Sequence, residues 1–236
     1  MNPLVVVTSA QGCTIKDLLQ TARSLADSSN RPTHWVVVGG SFNLTKLSRH
    51  RSMKKTTIVI SDDFSNPALT LQSSTVVFLR AGDTIASDAL SLVAQHTDQH
   101  DLIYGDSAHG RARKFEEPSK ARRPQWSPER LRSHNYVGDL LAASQSVITT
   151  TTRDLDGGLA ALATLHEHDR SLRLFDACES PHRIAHVLYH SSQERMVPTA
   201  SLDAVQQHCA RTGIDAVCTI DEKMRTVRVK RRLRSQ

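Results

Sequence analysis

Short apolar runs alternate along this chain with stretches in which apolar residues recur every three or four positions. The runs predict buried strands, and the helical spacing predicts amphipathic helices between them. This alternation is typical of an α/β fold with a doubly wound, mainly parallel sheet. We expect strands at Leu4–Thr8, His34–Val38, Thr57–Ile60, Thr75–Leu79, Leu102–Tyr104, Asp139–Ala143 and Ile184–Leu188. We expect helices at Ile15–Leu25, Ser87–Gln95, Leu159–Leu165, Asp169–Ala177 and Leu202–Thr212.

Size and composition exclude several classes of protein. The chain has 236 residues, of which 39% are hydrophobic, and this suffices for one substantial core. No apolar run approaches the roughly 18–20 residues of a membrane span, and the first residues lack the regions of a signal peptide. The four cysteines have neither C-x-x-C nor zinc-ligand spacing, and P-loop, nucleophile-elbow and zincin motifs are absent. We therefore expect a soluble, cytoplasmic protein.

The net charge of +6 is concentrated at one end of the chain. The last fourteen residues, 223–236, contain seven basic and no acidic side chains, whereas the rest of the chain contains 23 basic and 24 acidic ones. A basic segment of this kind favours contact with an anionic membrane, nucleic acid or an acidic partner. Alternating residues around Val227 and Val229 predict a strand, so a solvated edge strand is the equally simple alternative.

The middle of the chain differs from the rest in composition. Gly105–Gln125 is polar and basic, and we expect it to form a long loop. Ser127 followed by Pro128 predicts the start of a helix. We expect residues 1–190 to form the main domain and residues 191–236 to add a helix and a basic strand that pack on it.

Several blocks occur in a recognisable order: Val77–Asp83, Leu102–Asp106, Pro124–Leu131, His134–Tyr136, Glu167–Arg173 and Arg183–His190. Together they resemble the family 2 nucleotide-sugar glycosyltransferases, which have a GT-A fold. The resemblance implies a GT-A-like sheet with a Rossmann-like nucleotide-binding half. It also implies transfer of a sugar, with inversion, from a nucleotide-sugar donor to a glycan or lipid-linked acceptor in cell-envelope polysaccharide synthesis.

The expected metal motif is incomplete. The family usually carries an acidic D-x-D-like block after its fourth strand, which holds Mn²⁺ or Mg²⁺ against the diphosphate. The corresponding segment here is Arg80-Ala81-Gly82-Asp83, with a single carboxylate. The resemblance implies Asp83 as a weak metal ligand, and Arg80 is suited to bind the diphosphate directly because guanidinium matches phosphate geometry. The alternative is a structural turn formed by Gly82 and Asp83.

The nucleotide pocket also departs from the family pattern. Aspartates usually end the second strand of these enzymes, but Gly39 and Gly40 stand there in this chain. Glycines permit close approach of backbone to a ligand. Thr8 and Ser9, at the end of the first strand, match positions that line the nucleotide pocket. The resemblance therefore implies nucleotide contacts at these four residues and at Arg80.

An inverting transferase needs one carboxylate as a general base. In the segment His166-Glu167-His168-Asp169, Glu167 matches the first carboxylate of the family's acidic block and Asp169 the second. We expect Glu167 to be the base, with Asp169 as its neighbour or an acceptor contact. Two alternatives remain: a metal site formed by His166, His168 and Asp169, or a helix start capped by Asp169.

Asp106 and Trp126 are the expected acceptor contacts. Asp106 follows a strand and matches a family aspartate, and an aromatic ring such as Trp126 suits the CH face of a sugar. The alternatives are a turn aspartate and a packing tryptophan. The alternative function is a catalytically degenerate glycosyltransferase-like binding or scaffold module, because two acidic positions are missing. We do not expect nucleic acid as a partner, because aromatic residues do not alternate with the basic residues of the tail.

Overall fold

The computed structural model describes residues 3–40, 47–50, 74–109, 119–191 and 199–232, and the backbone of 59–61. The strands are β1 (Leu4–Ser9), β2 (His34–Val38), β3 (Val59–Ser61), β4 (Thr75–Phe78), β5 (Thr84–Ile85), β6 (Leu102–His109), β7 (Ser119–Ala121), β8 (Leu141–Ala143), β9 (Pro181–Ser191), β10 (Ala216–Asp221) and β11 (Thr226–Arg231). The helices are α1 (Ile15–Ala26), α2 (Ala89–His96), α3 (Pro128–Ser133), α4 (Gln145–Thr152), α5 (Gly158–Thr164), α6 (Glu167–Ala177) and α7 (Thr199–Arg211).

The main sheet has the order β3-β2-β1-β4-β8-β6-β9-β5, with β7 paired to β6. Pairing is parallel from β3 to β4 and again between β6 and β9. The short strand β8 lies antiparallel between β4 and β6, so these two neighbours run in the same direction. The α/β fold with helices flanking a mainly parallel sheet is therefore confirmed.

Alternating side chains of the central strands separate two layers of core. Leu4 and Val6 pack with α1 and α2 on one face, whereas Val5 and Val7 pack with helices α3 to α7 on the other. Both faces of β1 are covered, which explains why its sequence is a continuous apolar run rather than an alternating pattern.

Local sequence signals place the helix starts. Thr14 and Asp17 form a capping box before α1, in which the Thr14 hydroxyl accepts from the Asp17 amide. Ser127 caps α3 through the amide of Arg130, and Pro128 occupies the first turn. The predicted helix start at Ser127 is confirmed.

The predicted loop over Gly105–Gln125 is wrong at residues 105–109 and 119–121, holds at 122–125, and lies outside the described ranges at 110–118. The strand β6 continues to His109, and β7 pairs with it. Buried polar residues misled the prediction: Asp106 accepts hydrogen bonds from Arg183 and from the Arg123 amide. Because partners on neighbouring segments satisfy these side chains, polarity does not mark a loop here.

The C-terminal segment forms α7 followed by a hairpin of β10 and β11 (the C-terminal hairpin, Ala216–Arg231). The predicted strand around Val227 is present, and its partner β10 was not predicted. Helix α7 packs on α6, and β11 packs on α3. The division of the chain at residue 190 stays a prediction. No helix in the described ranges is both long enough and apolar enough to cross a membrane.

Candidate active site

A cavity of about 350 Å³ opens beyond the carboxyl ends of β1 and β4. Ligands of doubly wound α/β proteins bind at this edge of the sheet, because the strand-to-helix loops converge there. The end of α5 and the first turn of α6 form the opposite wall. The lining residues are Val7, Ser9, Gln11, Phe78, Leu79, Arg80, Asp139, Ala163, Thr164, Leu165, His166, Glu167 and Arg170.

Two cations and two carboxylates meet in this cavity. Arg170 is only 8% exposed, and its Nη1 donates to the carbonyls of Ala163 (3.2 Å) and Leu165 (3.4 Å). Burial lowers the pKa of the Arg170 guanidinium, while Asp139 and Glu167 raise it and Arg80 lowers it. Since an arginine stays protonated in proteins, the cavity has a fixed positive charge beneath its surface.

The first turn of α6 separates the two predicted catalytic carboxylates. Residues two positions apart project about 200° from each other around a helix. Glu167 lines the cavity with its side chain 31% exposed, and its Oε2 lies 3.5 Å from His166 Nε2. Asp169 projects the other way, where both of its oxygens accept from Arg173 Nε at 3.1 Å. The structure brings Glu167 to the cavity and leaves Asp169 outside it.

His168 excludes the alternative metal site at this segment. Its Nε2 lies 2.6 Å from the Leu131 carbonyl, to which it donates, and the ring is 1% exposed. Burial lowers the pKa of His168 to about 4, so the ring is neutral at pH 7. The helix is capped by His166, whose Nδ1 accepts from the His168 amide, so the proposed cap at Asp169 is also wrong.

The segment Arg80–Asp83 folds as a turn packed on α1. The Asp83 amide donates to the Arg80 carbonyl at 3.2 Å, and Gly82 has a φ of +90°, which favours glycine. Thr21 Oγ1 accepts from the Gly82 amide and donates to the Asp83 carbonyl. The Asp83 side chain is fully buried and does not line the cavity, whereas Arg80 does.

Some of the predicted nucleotide contacts lie at the cavity, and one lies in the core. Thr8 is fully buried, and its hydroxyl accepts from Trp35 Nε1 at 2.9 Å, so it supports the strand from within the core. Ser9 lines the cavity. Gly39 has a φ of +76°, and a Cβ there would lie 3.0 Å from the Gln11 side chain and 3.1 Å from that of Thr164. Because both neighbours line the cavity, Gly39 lies at its rim; Gly40 beside it is exposed.

The two predicted acceptor residues have structural partners and do not line the cavity. Asp106 Oδ1 accepts from Arg183 Nη2 at 2.9 Å and from the Arg123 amide at 2.7 Å. Trp126 stacks on Phe175 with 4.1 Å between ring centroids and 14° between ring planes. Neither Asp106 nor Trp126 therefore lies where it could contact an acceptor in the cavity.

Sequence reasoning missed four polar residues of the cavity, namely Gln11, Asp139, Thr164 and Arg170. Arg170 lies three positions after Glu167, and that spacing places both on one side of a helix. Asp139 begins a segment predicted as a strand, two residues before β8. Helical spacing was therefore an available signal for Arg170, whereas nothing local distinguishes the other three.

A scan against protein-family models gives no match for this chain, and neither does a search of curated proteins. Solved structures of similar fold include S. aureus TarS 1–349, with a TM-score of 0.58, 13% identity, and coverage of 88% of this chain and 64% of that one. Glucosyl-3-phosphoglycerate synthase from Mycobacterium tuberculosis, in complex with Mg²⁺ and UDP, has a TM-score of 0.52 at 12% identity. The match covers 98% of this chain and 88% of that one.

A mannosyltransferase from Pyrobaculum calidifontis, in complex with GDP-Man and Mn²⁺, gives a TM-score of 0.50 at 14% identity, covering 89% of this chain and 64% of that one. TarS 1–349 has also been solved with UDP and with UDP-GlcNAc. The chain thus shares the GT-A-like fold of these glycosyltransferases, and it spans less than two thirds of TarS 1–349.

Proposed function

We propose that this protein is an inverting glycosyltransferase that binds a nucleotide-sugar donor in the cavity beyond β1 and β4. The observation that supports it is the joint presence of Arg80, Arg170 and Glu167 in one cavity of a GT-A-like fold. A volume of about 350 Å³ lies within the range of roughly 300–1,000 Å³ that is usual for small-molecule sites.

The donor diphosphate takes the side of the cavity formed by Arg80. The Arg80 guanidinium is less buried than that of Arg170, and a guanidinium offers paired N–H groups to phosphate oxygens. Ser9, Gly39 and the exposed Gly40 form the adjoining rim, where the nucleoside binds. Arg170 stays behind this surface, bonded to backbone carbonyls, and contributes charge rather than direct contacts.

Glu167 serves as the general base. Its carboxylate accepts the proton of the acceptor hydroxyl while that oxygen attacks the anomeric carbon. The bond between the anomeric carbon and the diphosphate breaks in the same step, and the nucleoside diphosphate leaves with the electron pair. Attack opposite the leaving group inverts the anomeric centre.

The residue that the family pattern places at the metal, Asp83, does not fit a metal site in the cavity. Asp83 is buried away from the cavity, and Asp106 is bonded to Arg183. A divalent ion, when bound at a diphosphate, neutralises the charge of the leaving group. In this chain Arg80 and Arg170 provide positive charge at that place, so we propose that Mn²⁺ or Mg²⁺ binds weakly.

A binding or scaffold module without transferase activity is the second candidate. It is favoured by the packing of Asp106 and Trp126, because neither side chain is presented to an acceptor in the cavity. Both candidate functions use the nucleotide site. They differ in the role of Glu167, which acts as a base in the transferase and has no catalytic role in the binding module.

The acceptor is proposed to be a glycan or a lipid-linked precursor of a cell-envelope polysaccharide, met at the inner face of the membrane. The C-terminal hairpin supports this proposal, because Met224 at its turn is 65% exposed beside the exposed basic residues Lys223 and Arg225. Basic side chains next to an apolar tip suit an anionic lipid surface.

Calorimetry with UDP and GDP, first with Mn²⁺ and then with EDTA, tests the donor site. We expect dissociation constants of tens of micromolar, about −6 kcal/mol, that EDTA changes little. Arg80→Ala should weaken binding about tenfold, since the diphosphate loses the less buried of the two cavity cations. The exposed Arg153 provides the control, and Arg153→Ala should bind as the wild type does.

The outcomes separate the candidates. Sub-micromolar binding that requires Mn²⁺ would show that carboxylates complete a metal site. Failure to bind any nucleotide would overturn the donor site altogether. Nucleotide binding without release of nucleoside diphosphate from a panel of donors and acceptors would favour the binding module.

A further inference from the structure

Three histidine rings lie together on the sheet face that carries α1 and α2. His96 ends α2, His100 follows one turn later, and His182 lies near the start of β9. The His182 ring stacks between the other two, with centroids 4.4 Å from His96 and 4.2 Å from His100. One ring nitrogen from each residue lies within 4.8 Å of one from each of the others, and no second group of three possible ligands occurs in the described ranges.

We infer that this cluster, His96, His100 and His182, is a Zn²⁺ site. None of its residues lines the cavity assigned to the donor, so the inference holds or fails independently of the proposed function. The cluster also lies near the starts of β6 and β9, whereas the cavity lies beyond the carboxyl ends of β1 and β4.

Backbone structure brings the three side chains to one place. His96 and His100 are four residues apart, and the His100 amide donates to the His96 carbonyl at 3.0 Å, so the helical turn continues and both rings share a side. His182 pairs in register with Ile103, which follows the same turn. Asp101 joins the segments, because its carboxylate accepts from the Ser180 amide at 2.9 Å.

Ser180 fixes the tautomer of His100. The Ser180 hydroxyl lies 3.2 Å from the Gln99 carbonyl, to which it donates, and 2.9 Å from His100 Nδ1. A hydroxyl has one hydrogen, so both contacts are hydrogen bonds at the same time only in the tautomer in which His100 Nδ1–H donates to Ser180. The Nε2 atom of His100 then has a free lone pair, and a ligating histidine commonly uses its other nitrogen in such a hydrogen bond.

The donor set selects the metal. Neutral imidazoles suit Zn²⁺, Cu²⁺ and Ni²⁺, whereas Mg²⁺ and Mn²⁺ prefer oxygen ligands. Zn–N bonds of about 2.0–2.1 Å place tetrahedral ligand atoms about 3.3 Å apart, and nitrogens that all lie within 4.8 Å of one another can reach this spacing through small side-chain movements. The stacked rings must also turn, since a metal is bound in the ring plane. Water takes the fourth position, which the half-buried rings leave open to solvent.

Zinc at this position would join the end of α2 to the start of β9. Both segments belong to the described core of the sheet, so the ion would stabilise the folded state and would have little affinity for the unfolded chain. The expected sign is a rise in melting temperature with Zn²⁺ concentration.

Titration of the full chain with Zn²⁺ against a chromophoric chelator tests the site. We expect one equivalent to bind with a dissociation constant of about 1 μM or below, and Co²⁺ to give the visible absorption of a tetrahedral complex. At a hundredfold excess over the dissociation constant, the melting temperature should rise by about 5–10 °C. His182→Gln should weaken binding at least tenfold.

His186→Gln is the matched control, because His186 lies on the same strand and pairs with Asp88 outside the cluster. It should bind Zn²⁺ as the wild type does. Ser180→Ala retains all three ligands and should weaken binding several-fold with an unchanged Co²⁺ spectrum. Melting of each metal-free variant checks that it folds, and His100→Gln replaces His182→Gln if that variant does not.

Two results would overturn the inference: equal Zn²⁺ affinity in His182→Gln and His186→Gln, or the lack of a one-to-one complex at 100 μM Zn²⁺. Tighter binding of Mn²⁺ than of Zn²⁺ to the wild type would contradict the choice of metal. Changes in the histidine ring ¹⁵N shifts on addition of Zn²⁺ provide a readout in the unmodified protein.

Discussion

The first turn of α6 and the C-terminal hairpin are both densely charged, and they differ in how the charge is held. At α6, Arg170 and Glu167 both line the cavity, Arg170 buried against backbone carbonyls and Glu167 partly exposed, while Asp169 is bonded to Arg173 outside it. In the hairpin, basic side chains such as Arg228 and Lys230 are exposed. Buried charge requires fixed partners and so has a defined geometry, whereas exposed charge provides only a field that salt screens.

The comparison shows that net charge is a poor guide to the site of this protein. The hairpin and its tail account for the basic excess, yet the cavity gathers both signs from several segments of a nearly neutral body. Substitutions at α6 should therefore change activity or stability strongly, and substitutions in the hairpin should change neither by much.

The largest effect is expected at the residue of α6 that faces the cavity. Glu167→Gln retains the size of the side chain and removes the base, so turnover should fall about a hundredfold or more while donor affinity stays unchanged. Steady-state release of nucleoside diphosphate measures this. Glu222→Gln at the exposed turn of the hairpin is the control. Unaltered turnover in Glu167→Gln would remove Glu167 from the mechanism.

The buried His168 should make stability depend on pH. Its pKa is about 4 in the folded state, below its ordinary value of 6.5, so the unfolded chain takes up the proton first as the pH falls. Stability is complete above pH 6.5 and is lost toward pH 4, by about 3 kcal/mol. Urea unfolding from pH 4 to 7 should show this loss in the wild type and not in His168→Gln. Parallel curves for the two proteins would contradict it.

Substitutions on the side of α6 that faces away from the cavity, where Asp169 lies, should affect stability rather than catalysis. Asp169→Asn removes the carboxylate that pairs with Arg173 and one of the two that pair with Arg211, which keeps Asp176, and should lower the free energy of unfolding by about 1–3 kcal/mol. Turnover per folded molecule should match the wild type. The exposed Asp154 gives the control, since Asp154→Asn should change stability by less than about 0.5 kcal/mol. A fall in turnover equal to that of Glu167→Gln would show that Asp169 takes part in the reaction.

The smallest effect on folding is expected in the hairpin. Lys230→Gln should alter the free energy of unfolding by less than about 0.5 kcal/mol. It should weaken binding to vesicles containing phosphatidylserine about fivefold at low salt, because one charge near an anionic surface contributes about 1 kcal/mol. Sedimentation with vesicles measures this, and the difference should vanish at high salt. Equal binding by both proteins at low salt would contradict the membrane contact.

The fold was largely predictable because it rests on short-range patterns. The apolar runs predicted β1, β2 and β4 within one residue, and Ser127 before α3 and Pro128 at its first position predicted where that helix starts. The prediction failed where partners far along the chain changed the meaning of a residue. The polar sequence after Tyr104 suggested a loop, but Arg183 on β9 pairs with Asp106 and allows the strand to continue.

The site was predictable only in part. Helical spacing puts Glu167 and Asp169 on opposite sides of α6, but it does not say which side faces the cavity. Packing of α7 decided this, because Arg211 approaches Asp169 at 3.7 Å from the rear. At the turn Arg80–Asp83, too, a contact distant in sequence decides which residue faces the cavity. The hydrogen bond from Thr21 on α1 directs Asp83 into the core.

The sequence by itself determined most of the elements and the edge of the sheet at which the candidate site lies, since both follow from periodicity and strand order along the chain. Tertiary structure alone decided which charges meet, as it did for Arg80 with Arg170 and for His182 with His96 and His100. Backbone preferences act over a few residues, whereas the partner of a charged or ligating side chain is set by packing between segments that the sequence separates by tens of residues.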